Sequence, residues 1–350
     1  MDQALYCPNL GYYEQEDRRI GRSGDFYTSV SIGPLFGQLL AYYFARWREE
    51  GALEPWQLVE AGAHDGQLAL DVLSWLEEHR PEHFDRLEYW LVEPSRRRRR
   101  WQGARLEEFA GRVRWVDTLE GMPQQGVTGV IFSNELLDAF PLHRVAWDAK
   151  TRSWFEWGVG MSEDRFAWQR MEKTSRDWPA ELKRAGIGLP EELSAVLPDG
   201  FTIDLCPAAG EWWRMAAAAL RHGRLLTFDY GLAAHEILRP ERSQGTLRAY
   251  HRHQARADVL QSPGDFDLTA HVNFTQLQRA GESVGLTTDG LYSQEEFLTR
   301  IAEAMWQEKP AGDAPSPGQV RQFQSLTHPE HLGLRFRVLV QSRLAPKCAA

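Results

Sequence analysis

Cysteine is scarce in this 350-residue chain: Cys7, Cys206 and Cys348 stand far apart and are odd in number. That excludes a disulfide framework and any cysteine-based metal spacing, and it favours a reducing compartment. An excess of positive charge is also missing. Forty Lys and Arg against 49 Asp and Glu leave a formal charge of −9, which argues against a generic nucleic-acid binder while leaving room for a local basic patch. No apolar run is long enough to cross a bilayer, so no membrane partner is expected. The first eleven residues carry neither a charged-then-apolar signal nor an Arg-rich presequence, which makes the cytoplasm the default and an organelle, with its presequence removed, the alternative. There is no internal repeat. His251, His253 and His271 lack the spacing of metal ligands, so no metal is expected.

What is present is organised around Gln57-Leu58-Val59-Glu60-Ala61-Gly62-Ala63-His64-Asp65-Gly66. An apolar run ends in an acid and a glycine; a short turn and a second glycine lead into a helical pattern from Gln67 to about His79. Strand, tight turn and helix form the first unit of an open parallel sheet that binds its ligand at the strand ends. A dinucleotide site wants G-x-G-x-x-G, because the middle glycine lets a pyrophosphate touch the backbone. Here that position is His64, and the spacing is E-x-G-x-x-x-G. The turn resembles the first motif of class I S-adenosyl-L-methionine (SAM) methyltransferases, whose cofactor has no phosphate to admit. A buried turn of an unrelated α/β protein remains the bland reading.

Pro34 opens an amphipathic helix whose stripe runs from Leu35 through Phe36, Leu39, Leu40, Tyr43 and Phe44 to Trp47, with Gly51 closing it. Strands follow at 57–62, 87–93, 112–117 and 129–135, alternating with helices at 67–79 and 95–110. This is the pattern of a doubly wound parallel sheet with helices on both faces. Short strands near 145–147 and 154–161 and a proline-bearing stretch mark an insertion over 143–200. A helix at 208–221, a strand at 225–229 and a long loop from 231 to about 272 come next, the loop read as irregular and functional. Helices at 274–284, 294–308 and about 317–326 and strands at 286–292 and 335–343 complete the chain, the last strand expected antiparallel at the sheet edge. The tryptophans are read as mostly core.

Each strand tip carries a polar group. Glu93 suits the two ribose hydroxyls of a nucleoside, against a plain solvated acid. Glu60 is expected to order the glycine turn by accepting backbone N–H bonds. Asp117 reads equally as a contact to an adenine edge or as a surface acid. Asn134-Glu135-Leu136-Leu137-Asp138 places an amide and two carboxylates just past the fourth strand. Methylating an arginine, which stays protonated, needs carboxylates that orient the guanidinium and take its proton. The alternative is a helix cap built from Asn134 and Asp138. The run Arg96 to Arg100 is read as a solvated helix face rather than a site for an acidic partner.

Taken together, the motifs Leu10-Gly11-Tyr12-Tyr13, Gly24-Asp25-Phe26 with Thr28-Ser29, Leu35-Phe36-Gly37, Val59-Glu60 with Gly62 and Gly66, Val92-Glu93-Pro94-Ser95, Asn134-Glu135 with Asp138-Ala139-Phe140-Pro141, Asp229-Tyr230-Gly231, Gly245-Thr246-Leu247-Arg248, and Asp267 with Thr269, His271 and Val272 resemble the MidA-like family. Its mitochondrial members methylate an arginine of a respiratory complex I subunit and support complex assembly. The resemblance implies a class I, Rossmann-like methyltransferase fold: α/β, with a mostly parallel seven-stranded sheet, helices on both faces and insertions. It implies SAM as cofactor and a protein arginine side chain as substrate, and makes a mitochondrial location the alternative to the cytoplasm. Glu60, Gly62, Gly66, Glu93, Pro94 and Asp117 would bind the cofactor, with Asp25, Phe26 and Thr28 closing over it. Glu135 and Asp138 would handle the nucleophile, with Asn134 and His271 in support. Residues 1–56 would cover the cofactor site, 57–142 form the first half of the core, 143–200 a substrate-side insertion, and 201–350 the second half, with the loop 231–272 and a helical insertion at 294–333. Three departures stand out: Ala63-His64 in place of Pro-Gly, Val30-Ser31-Ile32-Gly33-Pro34 in place of Pro-Glu-Ile-Ser-Gln, and Asn273 in place of aspartate. Members also have a helix ahead of the position of Met1, so the chain is expected to start late. Two rival functions remain: a non-catalytic assembly protein on the same fold, and a small-molecule methyltransferase.

Overall fold

The structure is a computed structural model that describes residues 1–15, 28–174, 176–251, 254–256, 258–308 and 314–344. The chain divides into two units. The larger comprises Tyr27–Leu136, Arg214–Asp229 and Gly281–Ala350; the smaller comprises Met1–Phe26, Leu137–Trp213 and Tyr230–Ala280.

The larger unit is built on seven strands: β1 (Trp56–Ala61), β2 (Leu87–Val92), β3 (Val113–Val116), β4 (Val127–Asn134), β5 (Leu220–Leu232, in this unit as far as Asp229), β6 (Thr287–Ser293) and β7 (Phe336–Arg343). They lie in the order β6-β7-β5-β4-β1-β2-β3. β1 pairs in parallel with β2 and β4, β2 with β3, and β4 with β5. All six residues of β1 are buried, as expected for a parallel strand covered by helices on both faces. The helix Leu35–Gly51 begins after Pro34 and buries Leu35, Phe36, Leu39, Leu40, Phe44 and Trp47, the stripe read from the sequence. It runs so close to the helix Gln67–His79 that a Cβ on Gly37 would lie 2.5 Å from that of Asp71.

The Phe336–Arg343 strand is not at the edge, as the sequence reading had it. β7 lies between β5 and β6 and pairs antiparallel with β6. Burial accounts for this: β7 is buried at Phe336, Val338, Leu339, Val340, Gln341 and Ser342, whereas no residue of β6 is fully buried, and a strand wetted along its length suits an edge.

Glu60, near the end of β1, is only 3% exposed, and its carboxylate accepts a 2.6 Å hydrogen bond from the Tyr89 hydroxyl of β2. The backbone N–H bonds expected for it are not made among the described residues. Burial, helped by the charges of Asp65 and Asp71, outweighs the Tyr89 bond and pushes this acid up to about 8, so it is mostly neutral at pH 7.

The smaller unit contains a four-stranded antiparallel sheet, Arg165–Arg170 against Ser153–Ser162, His143–Asp148 and Thr202–Leu205. It also contains a three-stranded sheet made of Gln254–Arg256, Arg248–His251 and Asp267–Thr269. The second sheet corrects the expectation of an irregular loop over 231–272: strands of three or four residues are too short to display an alternation. Leu5 and Tyr12 from the first residues pack with Ala139, Leu247, Ala249 and Leu268. The Gly245-Thr246-Leu247 corner is tied by one buried acid. Asp204 accepts the backbone N–H groups of Thr246 and Leu247, the latter at 2.7 Å, and pairs with Arg144 at 3.1 Å. Gly245 has φ +72°, and a Cβ there would sit 2.3 Å from the Asp204 carboxylate.

Gly245→Ala is therefore expected to lower unfolding stability by roughly 1–3 kcal/mol, read from a urea midpoint. Glu60 generates a pH dependence. Its folded-state value lies above that of the unfolded chain, so its contribution to stability is complete below about pH 4.5 and is lost as pH rises through about 8. Glu60→Gln keeps an acceptor for Tyr89 and should narrow the difference in thermal midpoint between pH 5 and pH 8; an unchanged difference would show that the acid is charged throughout.

Candidate active site

Register sets the geometry in the larger unit. Ala61 is opposite Val92 on one side and Ser133 on the other, and Val92 is opposite Val116. The next residues, Gly62, Glu93, Asn134 and Asp117, therefore share one rung at the strand tips, where Asn134 is still paired with Phe228 of β5. Gly62, at φ +74°, donates its N–H to Val92 O at 3.3 Å, and a Cβ on it would lie 2.8 Å from Leu136 Cδ1. The turn closes where the Gly66 N–H meets Ala63 O at 2.7 Å. His64 has φ +45°, the left-handed region in which a glycine costs nothing. Its ring turns toward Trp101, with centroids 6.2 Å apart, and its Nδ1 is 3.8 Å from Asp65. Gln102, a residue the sequence reading did not single out, steadies the turn from the following helix. Fully buried, it donates to His64 O at 2.9 Å and accepts from Trp115 Nε1 at 2.9 Å. Asp65 adds a 3.1 Å bond from the Gln67 N–H and a 2.8 Å ion pair with Arg105.

Glu93 has no solvent exposure. Its Oε1 accepts the Ser95 N–H at 2.8 Å, and Oε2 lies 3.7 Å from the Arg98 guanidinium. Pro94, between them, is exposed. Asp117 is 77% exposed at its side chain and pairs with Arg99, whose Nε also donates to Glu93 O at 2.6 Å. The arginine run is not a purely solvated face: Arg98 and Arg99 turn back onto the strand-tip acids, Arg98 with its side chain 14% exposed. An i, i+1 charge run gives no sign of which members face inward.

At the tip of β4, Glu135 takes φ +51° and donates its N–H to Phe228 O at 2.9 Å. Its Oε1 accepts from Asn134 Nδ2 at 3.0 Å and from the Ser29 N–H at 3.2 Å. Asn134 Oδ1 is buried and has no hydrogen-bond partner among the described residues. Thr28 caps the short helix Ser29–Ile32, exchanging bonds with Ser31 in both directions at 3.0 Å. That places the Thr28-Ser29 motif against Glu135. Asp25 and Phe26 lie outside the described residues.

Asp138 and His271 belong to the smaller unit. Asp138 is 7% exposed, and its carbonyl accepts the Ala270 N–H at 3.0 Å. Tyr13 donates to Asp267 Oδ1 at 2.8 Å. Burial, then the charges of Asp267, Tyr6 and Asp138, holds that phenol well above its ordinary range. The His271 N–H donates to Thr246 Oγ1 at 3.2 Å. Packing around the ring, with Arg242 and Arg248 nearby, pushes the imidazole below its usual value. The residue keeps solvent contact, which relieves part of the effect, but the direction leaves His271 neutral at pH 7. Asp138 and His271 both line a small cavity with Phe140, Cys206, Asn273 and Gln276. Among the described residues no cluster of three or more His, Cys, Asp or Glu is arranged for a metal ion, and no helix is long and apolar enough to cross a membrane.

Residues 39–292 match a family described as an S-adenosyl-L-methionine-dependent methyltransferase, Methyltransf_28. A crystal structure of a COG1565 superfamily member from Burkholderia thailandensis bound to S-adenosyl-homocysteine is 31% identical, covers 98% of this chain and 86% of its own, and superposes with a TM-score of 0.80. The mitochondrial protein arginine methyltransferase NDUFAF7 homolog of Drosophila melanogaster is 27% identical over 97% of this chain and 79% of its own length. NDUFAF7 of Homo sapiens, also named a mitochondrial protein arginine methyltransferase, is 28% identical over 96% and 77%. With the mostly parallel central sheet, the strand-tip rung and these similarities in agreement, the chain belongs to this family of α/β methyltransferases and takes S-adenosyl-L-methionine as its cofactor.

Proposed function

We propose that the protein is a protein arginine N-methyltransferase acting on a partner protein such as a respiratory-complex subunit. The observation that carries the reading is the acceptor group at the tip of β4: a Glu135 carboxylate held by two N–H donors beside a buried, unpartnered Asn134 Oδ1. A guanidinium offers five N–H donors in a planar fork and keeps its charge at any accessible pH, so it suits a site made of fixed acceptors. The relatives named as protein arginine methyltransferases point the same way. Those names also favour the mitochondrial alternative over the cytoplasm.

The cofactor, when bound, supplies a methyl group made electrophilic by its sulfonium. The residues present fit such a group. Gly62 turns the chain at φ +74° where β1 ends, and Glu93 is a strand-tip carboxylate locked in place. In this reading Glu60, Gly62, Gly66, Glu93, Pro94 and Asp117 line the cofactor, with Glu93 receiving the ribose hydroxyls and Asp25, Phe26 and Thr28 closing over it. Glu135 and Asp138 orient the guanidinium, and a carboxylate takes the proton that leaves nitrogen as the N–C bond forms and the methyl–sulfur bond breaks, its electron pair staying with S-adenosyl-homocysteine. Asn134 accepts a guanidinium N–H, and neutral His271 assists.

Glu93→Ala should abolish SAM binding in calorimetry. Asp138→Asn should bind the cofactor as the wild type does and stop methyl transfer. Equal cofactor loss in both would show that the roles are misassigned. Incubating the protein with tritiated SAM and a lysate, then identifying the labelled band and hydrolysing it, should yield methylated arginine; label on a small molecule alone would replace this reading with the small-molecule one.

A further inference from the structure

The mechanism above leaves one buried polar pair unused. Ser29 and Gln294 are both fully buried, 265 positions apart, and both in the larger unit. Ser29 Oγ donates to Gln294 Oε1 at 3.1 Å, and Gln294 Nε2 donates to Leu326 O at 2.9 Å. The same Ser29 presents its backbone N–H to Glu135 Oε1. Gln294 opens the helix Gln294–Gln307, and Leu326 lies at the end of the helix Pro317–Thr327. The second of these helices also grips the far end of the same segment, where Gln322 Oε1 accepts the Leu35 N–H at 3.0 Å.

We propose that Gln294 and Ser29 are positioning residues for methyl transfer: they lock the segment 28–35 so that the Ser29 N–H fixes the Glu135 carboxylate. The inference rests on the reading of Glu135 given above and extends it to the helical pair 294–327.

The physical argument has two parts. Gln294 bonds through both ends of its amide, so its Oε1 cannot rotate away from Ser29 without breaking the bond to Leu326, and a broken bond in a dry site leaves a costly orphan. Glu135, for its part, sits at a positive φ that its neighbours must enforce. With Oε1 pinned by Asn134 and Ser29, one oxygen of the carboxylate is fixed before substrate arrives, and a displacement of about 1 Å at such a group costs up to about 100-fold in rate.

The test uses the full chain and four variants: Gln294→Met, which removes both amide bonds at similar volume; Ser29→Ala; Ser29→Thr, which keeps the hydroxyl; and Glu135→Gln. Hydrogen exchange followed by NMR reads the backbone amide of residue 29. Methyl transfer from tritiated SAM to the lysate protein labelled above gives kcat and KM, and calorimetry with S-adenosyl-homocysteine checks the cofactor site. In Gln294→Met and Ser29→Ala the amide should exchange about tenfold faster or more. Their kcat should fall about tenfold or more, with cofactor affinity within about twofold of wild type. Ser29→Thr should restore both. Unchanged exchange in Gln294→Met overturns the proposal, as does faster exchange with an unchanged kcat. Equal losses in Ser29→Ala and Ser29→Thr also overturn it, because they mark simple loss of packing. A wild type that transfers label while Glu135→Gln transfers it equally well removes the reading of Glu135 instead, and the exchange result then still states whether the lock exists.

Discussion

Parallel pairing in strict register is the constraint from which the site follows. Because Ala61 faces Val92 and Ser133 across two ladders, and Val92 faces Val116, four strand tips fall on one rung. A glycine, two acids and an amide are delivered there together. A slip of one residue on β2 would turn Glu93 to the opposite face of the sheet. The site is thus specified by the apolar residues of β1, β2 and β4, which fix the register, as much as by the polar residues that leave it.

The acids on and near that rung sit in different surroundings. Glu60, sealed under the sheet with only a tyrosine hydroxyl, is held neutral. Glu93 is just as buried but meets an amide N–H and a guanidinium, and Asp117 lies in water against Arg99. Glu135 is held by two N–H groups. Such divergence is how one fold assigns separate tasks to chemically similar groups. It also accounts for the arginine run after β2: a helix packed beside several acids needs cations facing inward.

Much of this was legible in the chain. Apolar runs ending in an acid or amide mark β1, β2 and β4, because a buried parallel strand has to be apolar until it leaves the sheet; β3, half-exposed at the edge, shows itself by the alternation of Val113 and Trp115. The glycines of the first turn were legible for the same steric reason that the turn needs them. What was not legible depends on distance or on small elements. Nothing local to Ser29 or Gln294 announces a bond across 265 positions. Gln102 follows five arginines and a tryptophan, and nothing there marks it as the support of the turn. The three-stranded sheet of the smaller unit is made of pieces too brief to show a period. His64 looked like an obstruction, yet its backbone adopts the glycine-like conformation and its ring swings toward Trp101.

The interior position of β7 bears on how the polypeptide reaches its native state. β7 is contributed by Phe336–Arg343, yet it separates β5 from β6. During synthesis β1 to β5 emerge long before it, and β5 must wait with one hydrogen-bonding edge open. An unsatisfied apolar edge invites foreign strands. A ribosome-bound nascent chain not yet extended through β7 should thus be sticky and depend on chaperones, with assembly of the larger unit deferred until β7 has emerged.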